Sequence, residues 1–460
     1  MQQIVDEKLL QRAHDHAVQF LRALPERHVG ARATREELLP IFRVPLSDKG
    51  EDGNRVLDVL SGSAERGVVG SAGPRYFGFV IGGSLPVALA ADWITSTWDQ
   101  NSGLFVTSPV VSVLEEVSRE WLLELFDLPR TASIGFVTGC QMANCTGIAA
   151  GRDAVLRRAG YDVEEQGLIG APAVNIILSA EAHITIYSSL RLLGLGSKKV
   201  RLVETDDQGR MRVDALRKAL SNVDGPTIVC AQAGNVNTGA VDPLREIASI
   251  ARERGAWLHV DGAFGLWGRA SRDRRSLLDG VELADSWATD AHKWLNVPYD
   301  NGVVIVRDSA AHRASMTVSA DYLEQTAGAE RDPFDWVPEF SRRGRGITIY
   351  AALRSLGKQG VESLVDRLCA RARQIGDLLG KEKGVRVLND IVLNQVLVRF
   401  GDDDQKTRRV IARAQQEGTC WMAGTTWHGM AAMRISVSNW ATSEQDIARS
   451  AEAIVRAAHS

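Results

Sequence analysis

From about residue 132 the chain alternates between short apolar runs, glycine turns and longer stretches with helical spacing of apolar positions. The apolar runs Ser133–Val137, Val174–Leu178, Val200–Val203, Thr227–Ala231, Trp257–Val260, Ser286–Thr289 and Gly302–Val306 read as seven strands. Helices fit between them at Met142–Arg158, 184–193, 213–221 and 243–254. This rhythm predicts an α/β fold with a mostly parallel seven-stranded sheet covered on both faces. In such sheets ligands bind beyond the carboxyl ends of the strands.

Flanking segments have other patterns. Residues 6–24 place Leu9, Leu10, Ala13, Ala17, Phe20 and Leu21 on one helical face, which needs a partner surface. We therefore expect residues 1–70 to form a helical arm used in dimerisation. Residues 74–107 are apolar and glycine-rich and read as loop and helix lining. The helix expected at Pro109–Phe126 puts Glu115, Glu116, Arg119 and Glu120 on its wet face. Residues 308–345 are polar and irregular, which predicts a long loop, mobile near 320–340. Helical spacing resumes over 347–380. Strand patterns at Val385–Leu388, Val392–Arg399 and Met433–Val437, with a helix at 443–457, predict a smaller α+β domain. The expected division is arm 1–70, large domain 71–345 and small domain 346–460.

Composition narrows the function. The 460 residues are 45% hydrophobic and 24% charged, an ordinary globular balance too long for one core. A net charge of -3 gives no basic field for nucleic acid or anionic lipid. Five scattered cysteines with no CxxC pair fit a reducing compartment and oppose a metal site or a disulfide frame. The early charges Asp6, Glu7 and Lys8 leave no room for an apolar signal core, so the expected location is cytoplasmic. Residues 131–151 carry no charge, but Thr138, Gln141, Asn144, Thr146 and several glycines exclude a membrane span.

The chemistry concentrates at two strand ends. Trp257–Gly265 ends its apolar run on Asp261, and Ser286–Trp294 ends on His292-Lys293. A carboxylate at one strand end and a lysine at a later one suit a pyridoxal phosphate ring. The carboxylate pairs with the ring nitrogen and the lysine amine forms a Schiff base. Burial lowers a lysine's pKa toward the reactive amine. Ala263 is small where a ring would approach. Gly139-Cys140-Gln141, between strand and helix, offers backbone N–H groups to a phosphate. His183 opens a helix and could stack on the ring. Taken singly, a lysine after a strand, a turn aspartate and a capping histidine are all more common than these roles.

Order and spacing together carry more. HVDGAFG (259–265) followed by DAHKW (290–294), with Arg75–Gly83, Thr107–Glu116 and Phe136–Asn144, resembles the group II pyridoxal-phosphate-dependent amino acid decarboxylases. These share the aspartate aminotransferase-like fold type I, and the likeness runs over nearly the whole chain. The resemblance implies a homodimer with shared active sites and pyridoxal 5'-phosphate as cofactor. It assigns Lys293 the Schiff base, Asp261 the ring nitrogen with Ala263 beside it, and His183 the stacking role. Gly139, Cys140 and Gln141 match the phosphate turn. His292 and Asp290 stand where His and Asn are usual, and Asn235 where Gly-Thr-Thr is common. Arg434 resembles an arginine near the substrate end. The loop departs from the pattern. Tyr322 stands at its start, and Pro333, Phe334 or Trp336 align near the family's tyrosine acid. The implied reaction is decarboxylation of an L-amino acid, with an aromatic one preferred from the rings in 76–98. Oxidative deamination to an aldehyde and an aldol-type lyase are alternatives in the same cofactor class. A non-catalytic scaffold is the alternative outside it.

Overall fold

The structure, a computed structural model, describes residues 5–317 and 330–459. Its strands among these residues are β1 (Tyr76–Phe77), β2 (Ser133–Val137), β3 (Asn175–Ser179), β4 (Arg201–Val203), β5 (Thr227–Gln232), β6 (Trp257–Asp261), β7 (Ser286–Asp290), β8 (Gly302–Val306), β9 (Val385–Val387), β10 (Gln395–Phe400), β11 (Trp421–Trp427) and β12 (Met430–Ser436).

The large sheet has seven strands in the order β2-β8-β7-β6-β5-β3-β4. β7, β6, β5, β3 and β4 pair in parallel, while β8 runs against both β2 and β7. Every residue of β2, β5, β6, β7 and β8 is buried, as expected for strands covered on both faces. Each apolar run becomes a strand within about a residue of its expected limits. The helix Cys140–Arg158 follows β2 directly and is buried nearly all round, which only small residues such as Ala143, Gly147, Ala150 and Gly151 allow.

The second sheet has the order β1-β11-β12-β10-β9. β1 comes from far earlier in the chain and pairs in parallel with β11, Tyr76 opposite Trp421. The segment 71–345 therefore contributes to both sheets. β11 has no counterpart in the pattern reading, because Gly424, Thr425 and Thr426 interrupt its apolar alternation. Its hairpin to β12 turns on His428 and Gly429, both at positive φ, 48° and 77°, the backbone of a two-residue primed turn.

Two further expectations are corrected. The polar stretch after residue 308 is not all loop: Ser309–Met316 is a helix, and Asp308 caps it by accepting from the Ala310 and Ala311 amides at 3.0 and 3.2 Å. Tyr322 and its neighbours lie outside the described residues. Glu115 is not on a wet face. It is fully buried and paired with the buried Arg342, which also donates to the carbonyls of Ser102 and Phe136. That pair fixes the segment leading into the helix Gly346–Gly380 against the helix Pro109–Leu125.

Candidate active site

β7 ends at Asp290, and the chain then turns through Ala291–Leu295 before Asn296, whose φ is 55°. Asn296 holds this turn on every side. Its Nδ2 donates to the carbonyls of Lys293, Trp294 and Ser438 at 3.2, 3.0 and 3.0 Å. Its Oδ1 accepts from the amides of Gly83 and Trp440 at 2.7 and 3.0 Å. A Cβ on Gly82 would lie 2.0 Å from the Lys293 carbonyl, so glycine alone lets the 76–85 segment press on the lysine turn.

The Asp290 carboxylate is the electrostatic hub. Its Oδ2 is 3.0 Å from Lys293 Nζ. Its Oδ1 accepts from the Cys140 amide at 2.6 Å and lies 3.4 Å from His292 Nε2. Burial pushes the Lys293 ammonium toward deprotonation, but the carboxylate of Asp290, then Cys140 and Asp261, outweigh it and hold the pKa above the ordinary value. Burial alone does not set this lysine, contrary to the expectation from sequence. Asp290 also does not turn away from the Gly139 turn; it faces inward and hydrogen-bonds it. His292 Nδ1 accepts from the Asn301 amide at 3.1 Å, and its ring stacks on Tyr299 with centroids 4.1 Å apart.

Asp261 ends β6, the neighbouring parallel strand. Its Oδ1 accepts from the Ala263 amide at 3.2 Å and lies 3.4 Å from Cys140 Sγ. Its Oδ2 accepts from Asn144 Nδ2 at 3.2 Å. The Gly139 turn packs close to this group: a Cβ on Gly139 would meet His292 Cε1 at 3.3 Å and Asp290 Oδ1 at 3.6 Å. Beyond the Cys140 amide, the start of the helix leaves the amides of Gln141 and Met142 without intrahelical acceptors. The Gln141 side chain is exposed, and its carbonyl accepts from Ser189 Oγ at 3.1 Å.

His183 is the N-cap of the helix Ile184–Leu192, with Nδ1 2.8 Å from Thr185 Oγ1. Burial lowers its pKa, and the charges of Asp261, Lys293, Arg434 and Asp290 all act on it. The ring is therefore neutral and belongs to the same cluster. Arg434 has no carboxylate partner among the described residues, and its buried Nε has no acceptor. Asn235 is used mainly for its own turn. Its Oδ1 accepts from the amides of Asn237 and Thr238 at 2.9 and 3.2 Å, leaving only Nδ2 without a partner. Asn144 and Asn296 escaped the sequence reading, since an asparagine inside a helix or after a lysine turn carries no pattern of its own.

The residues present suit a pyridoxal phosphate. They supply Lys293 within electrostatic reach of Asp261 at the next strand end, a glycine turn opening a helix, a neutral imidazole nearby and an arginine whose Nε has no acceptor, while Asp290 is the one group that competes, an anion already on the Cys140 amide. Among the described residues no group of histidine, cysteine and acidic side chains is arranged to hold a metal. None of the described helices is long and apolar enough to cross a membrane.

Residues 36–400 match the family model of the pyridoxal-dependent decarboxylase conserved domain. The aromatic-L-amino-acid decarboxylase of Bacillus atrophaeus is 28% identical over 362 residues, covering 77% of this chain and 73% of that protein. The acidic amino acid decarboxylase GADL1 of Bos taurus is 32% identical over 368 residues, covering 77% and 68%. Among solved structures, Oryza sativa TDC with PLP and tryptamine superposes with a TM-score of 0.93 at 23% identity, over 100% of this chain and 99% of that one. Mouse CSAD gives 0.91 at 25% identity over 98% of each chain. The chain belongs to the pyridoxal-dependent decarboxylases, enzymes that release CO2 from amino acids with pyridoxal 5'-phosphate as cofactor.

Proposed function

We propose that Lys293 holds the cofactor as a Schiff base and that Asp261 faces its ring nitrogen, for decarboxylation of an aromatic L-amino acid. The observation that carries this reading is the convergence of Lys293, Asp261 and the Gly139 turn around one point, tied together through Asp290 and Cys140. Bound there, the cofactor supplies an electron sink for the pair left on the α-carbon when the carboxylate departs. The remaining work falls to the chain. Asp261, held by three donors, keeps a fixed negative charge at the ring edge. His183, neutral and fixed by Thr185, offers a flat face for stacking. The Gly139–Gln141 turn takes the phosphate through the amides that Asp290 leaves free, since the Cys140 N–H is held by that carboxylate, with His292 and Asn235 Nδ2 at its borders. Asp290 keeps Lys293 Nζ protonated whenever the amine is free, so Nζ has a proton to return to carbon. Arg434, which has no carboxylate partner among the described residues, receives a substrate carboxylate.

The aromatic preference rests on rings gathered in the segment that presses on the lysine turn. Tyr76 stacks on Trp421 at 5.1 Å and Phe79 lies against the same indole at 5.6 Å. Aldehyde formation and a lyase reaction are the alternatives, since the loop position expected to hold a tyrosine acid reads Pro333, Phe334 or Trp336. A dimer is supported by exposed apolar surface: no residue of the helix Glu7–Ala23 is buried, and Leu46, Leu60, Trp93, Trp98 and Val110 are exposed. Five free cysteines favour a reducing, cytoplasmic location. Assays of CO2, aldehyde and peroxide over a panel of amino acids test the reading. Equimolar CO2 and amine from an aromatic amino acid is expected; turnover confined to acidic or diamino substrates, or aldehyde with peroxide, would replace it.

A further inference from the structure

One stripe of the helix Cys140–Arg158 lies along β6. Gly151 faces Trp257, Gly147 faces His259, and Asn144 and Cys140 reach Asp261. The two spacings match: four helical residues advance ~6 Å and two strand residues ~6.6 Å. Side chains at Gly147 and Gly151 would collide with the rings beneath, at 2.9 Å from His259 Cε1 and 2.7 Å from Trp257 Cδ1. The glycines bring the helix close enough for its polar members to touch the strand.

The contacts form one continuous line. Trp257 Nε1 is 2.8 Å from Ser286 Oγ, Ser286 Oγ is 2.8 Å from His259 Nδ1, and His259 Nε2 is 2.9 Å from Asn144 Oδ1. Asn144 Nδ2 then reaches Asp261 Oδ2 at 3.2 Å. Asn144, His259 and Ser286 are wholly buried, at 0% exposure, so no water rescues a misdirected hydrogen.

The direction of every link follows from the two ends. A carboxylate only accepts, so Asn144 presents its NH2 to Asp261 and its oxygen to His259. His259 Nε2 must therefore donate. Burial, partly opposed by Asp261, lowers the His259 pKa to about 4, so the ring is neutral and Nδ1 accepts. Ser286 donates its hydroxyl to Nδ1, and its lone pair takes the indole N–H of Trp257, which can only donate.

We propose that Trp257, Ser286, His259 and Asn144 form a one-directional hydrogen-bond chain that fixes Asp261 toward the cofactor ring nitrogen. This makes Asn144 and His259 positioning residues. The proposal rests on the reading that Asp261 faces that nitrogen. With the chain intact, Asp261 Oδ2 keeps one donor from the protein and one lone pair for the ring. With His259 removed, the Asn144 amide is free to rotate and turn its oxygen on the carboxylate.

The test has two arms. In the wild-type holoenzyme, 15N chemical shifts of labelled histidine should show His259 as the neutral Nε2–H tautomer from pH 6 to 8; the Nδ1–H tautomer or a charged ring would overturn the proposal. In variants, cofactor dissociation constants and the visible spectrum of the bound cofactor are compared, with Asp261→Asn as reference. Asn144→Ala and His259→Leu should each weaken cofactor binding roughly tenfold or more and move the spectrum in the same direction as Asp261→Asn. His259→Gln, whose amide donates from nearly the Nε2 position, should recover most of the loss. If Asp261→Asn weakens binding while Asn144→Ala and His259→Leu match wild type, the chain has no positioning role. If Asp261→Asn itself changes neither affinity nor spectrum, the reading of Asp261 falls, and the proposal with it.

Discussion

Replacing Asp290 by asparagine removes one charge and almost nothing else. The amide keeps an oxygen for the Cys140 N–H, which Asp290 now receives at 2.6 Å. What is lost is the carboxylate 3.0 Å from Lys293 Nζ. Two unit charges at that distance attract by about 5 kcal/mol at an effective dielectric constant of about 20. Burial of Lys293 acts in the opposite direction, and the net effect in the intact protein holds the proton on. Forfeiting even a quarter of that attraction multiplies the free-amine fraction about tenfold, since 1.4 kcal/mol is one decade. Only the free amine attacks the aldehyde of the cofactor. The assay is the rate at which cofactor-free enzyme develops visible absorbance with pyridoxal phosphate across pH 6–10. Asp290→Asn should take up the cofactor at least tenfold faster at pH 8, with its rate-pH curve displaced to lower pH. The variant also removes an anion from beside the phosphate, so the comparison is repeated with pyridoxal, which lacks that group. A displacement that persists with pyridoxal belongs to Lys293. Identical rate-pH curves for the two proteins would refute the argument that Asp290 governs the lysine.

Glu115→Gln leaves the Arg342 charge buried without its partner and should cost about 3–5 kcal/mol, read from the urea midpoint. His312 is wholly buried and its pKa is pushed down to about 3 by burial, then by Arg331. The unfolded histidine takes its proton near pH 6.5 and the folded one refuses it, so stability falls as pH drops from 6.5 toward 3. The loss is on the order of 5 kcal/mol. His312→Gln should flatten this slope relative to wild type in urea titrations at stepped pH. Deleting residues 1–70 should yield monomers by sedimentation, because it removes the arm whose long helix Glu7–Ala23 has none of its own residues buried within the chain.

Much of this fold is legible because each large-sheet strand is a compact apolar run between turn residues. Asp261 and Lys293 stand out for the same reason: each interrupts such a run at its carboxyl end. The parts that stayed hidden depend on partners distant in sequence. Glu115 looks wet by helical spacing alone, and only Arg342, more than two hundred residues later, makes it a buried ion pair. Asp290 shows in the sequence only as a replacement for the usual asparagine, and its bonds to Cys140 and Lys293 appear only when the helix and the lysine turn are brought together. Asn144 and His259 are ordinary in their own segments and gain meaning only when helix and strand are brought together at Gly147. β11 fails the alternation test because its place in the sheet is set by its pairing with β1 and β12.

Lys293 is the residue assigned to carry the cofactor, and chemical trapping reads this out. Holoenzyme reduced with borohydride, digested and analysed by mass spectrometry should show one phosphopyridoxyl group per chain, on the peptide containing Lys293. Lys293→Ala treated in the same way should show none. Label on another lysine, or undiminished label in Lys293→Ala, would contradict the assignment.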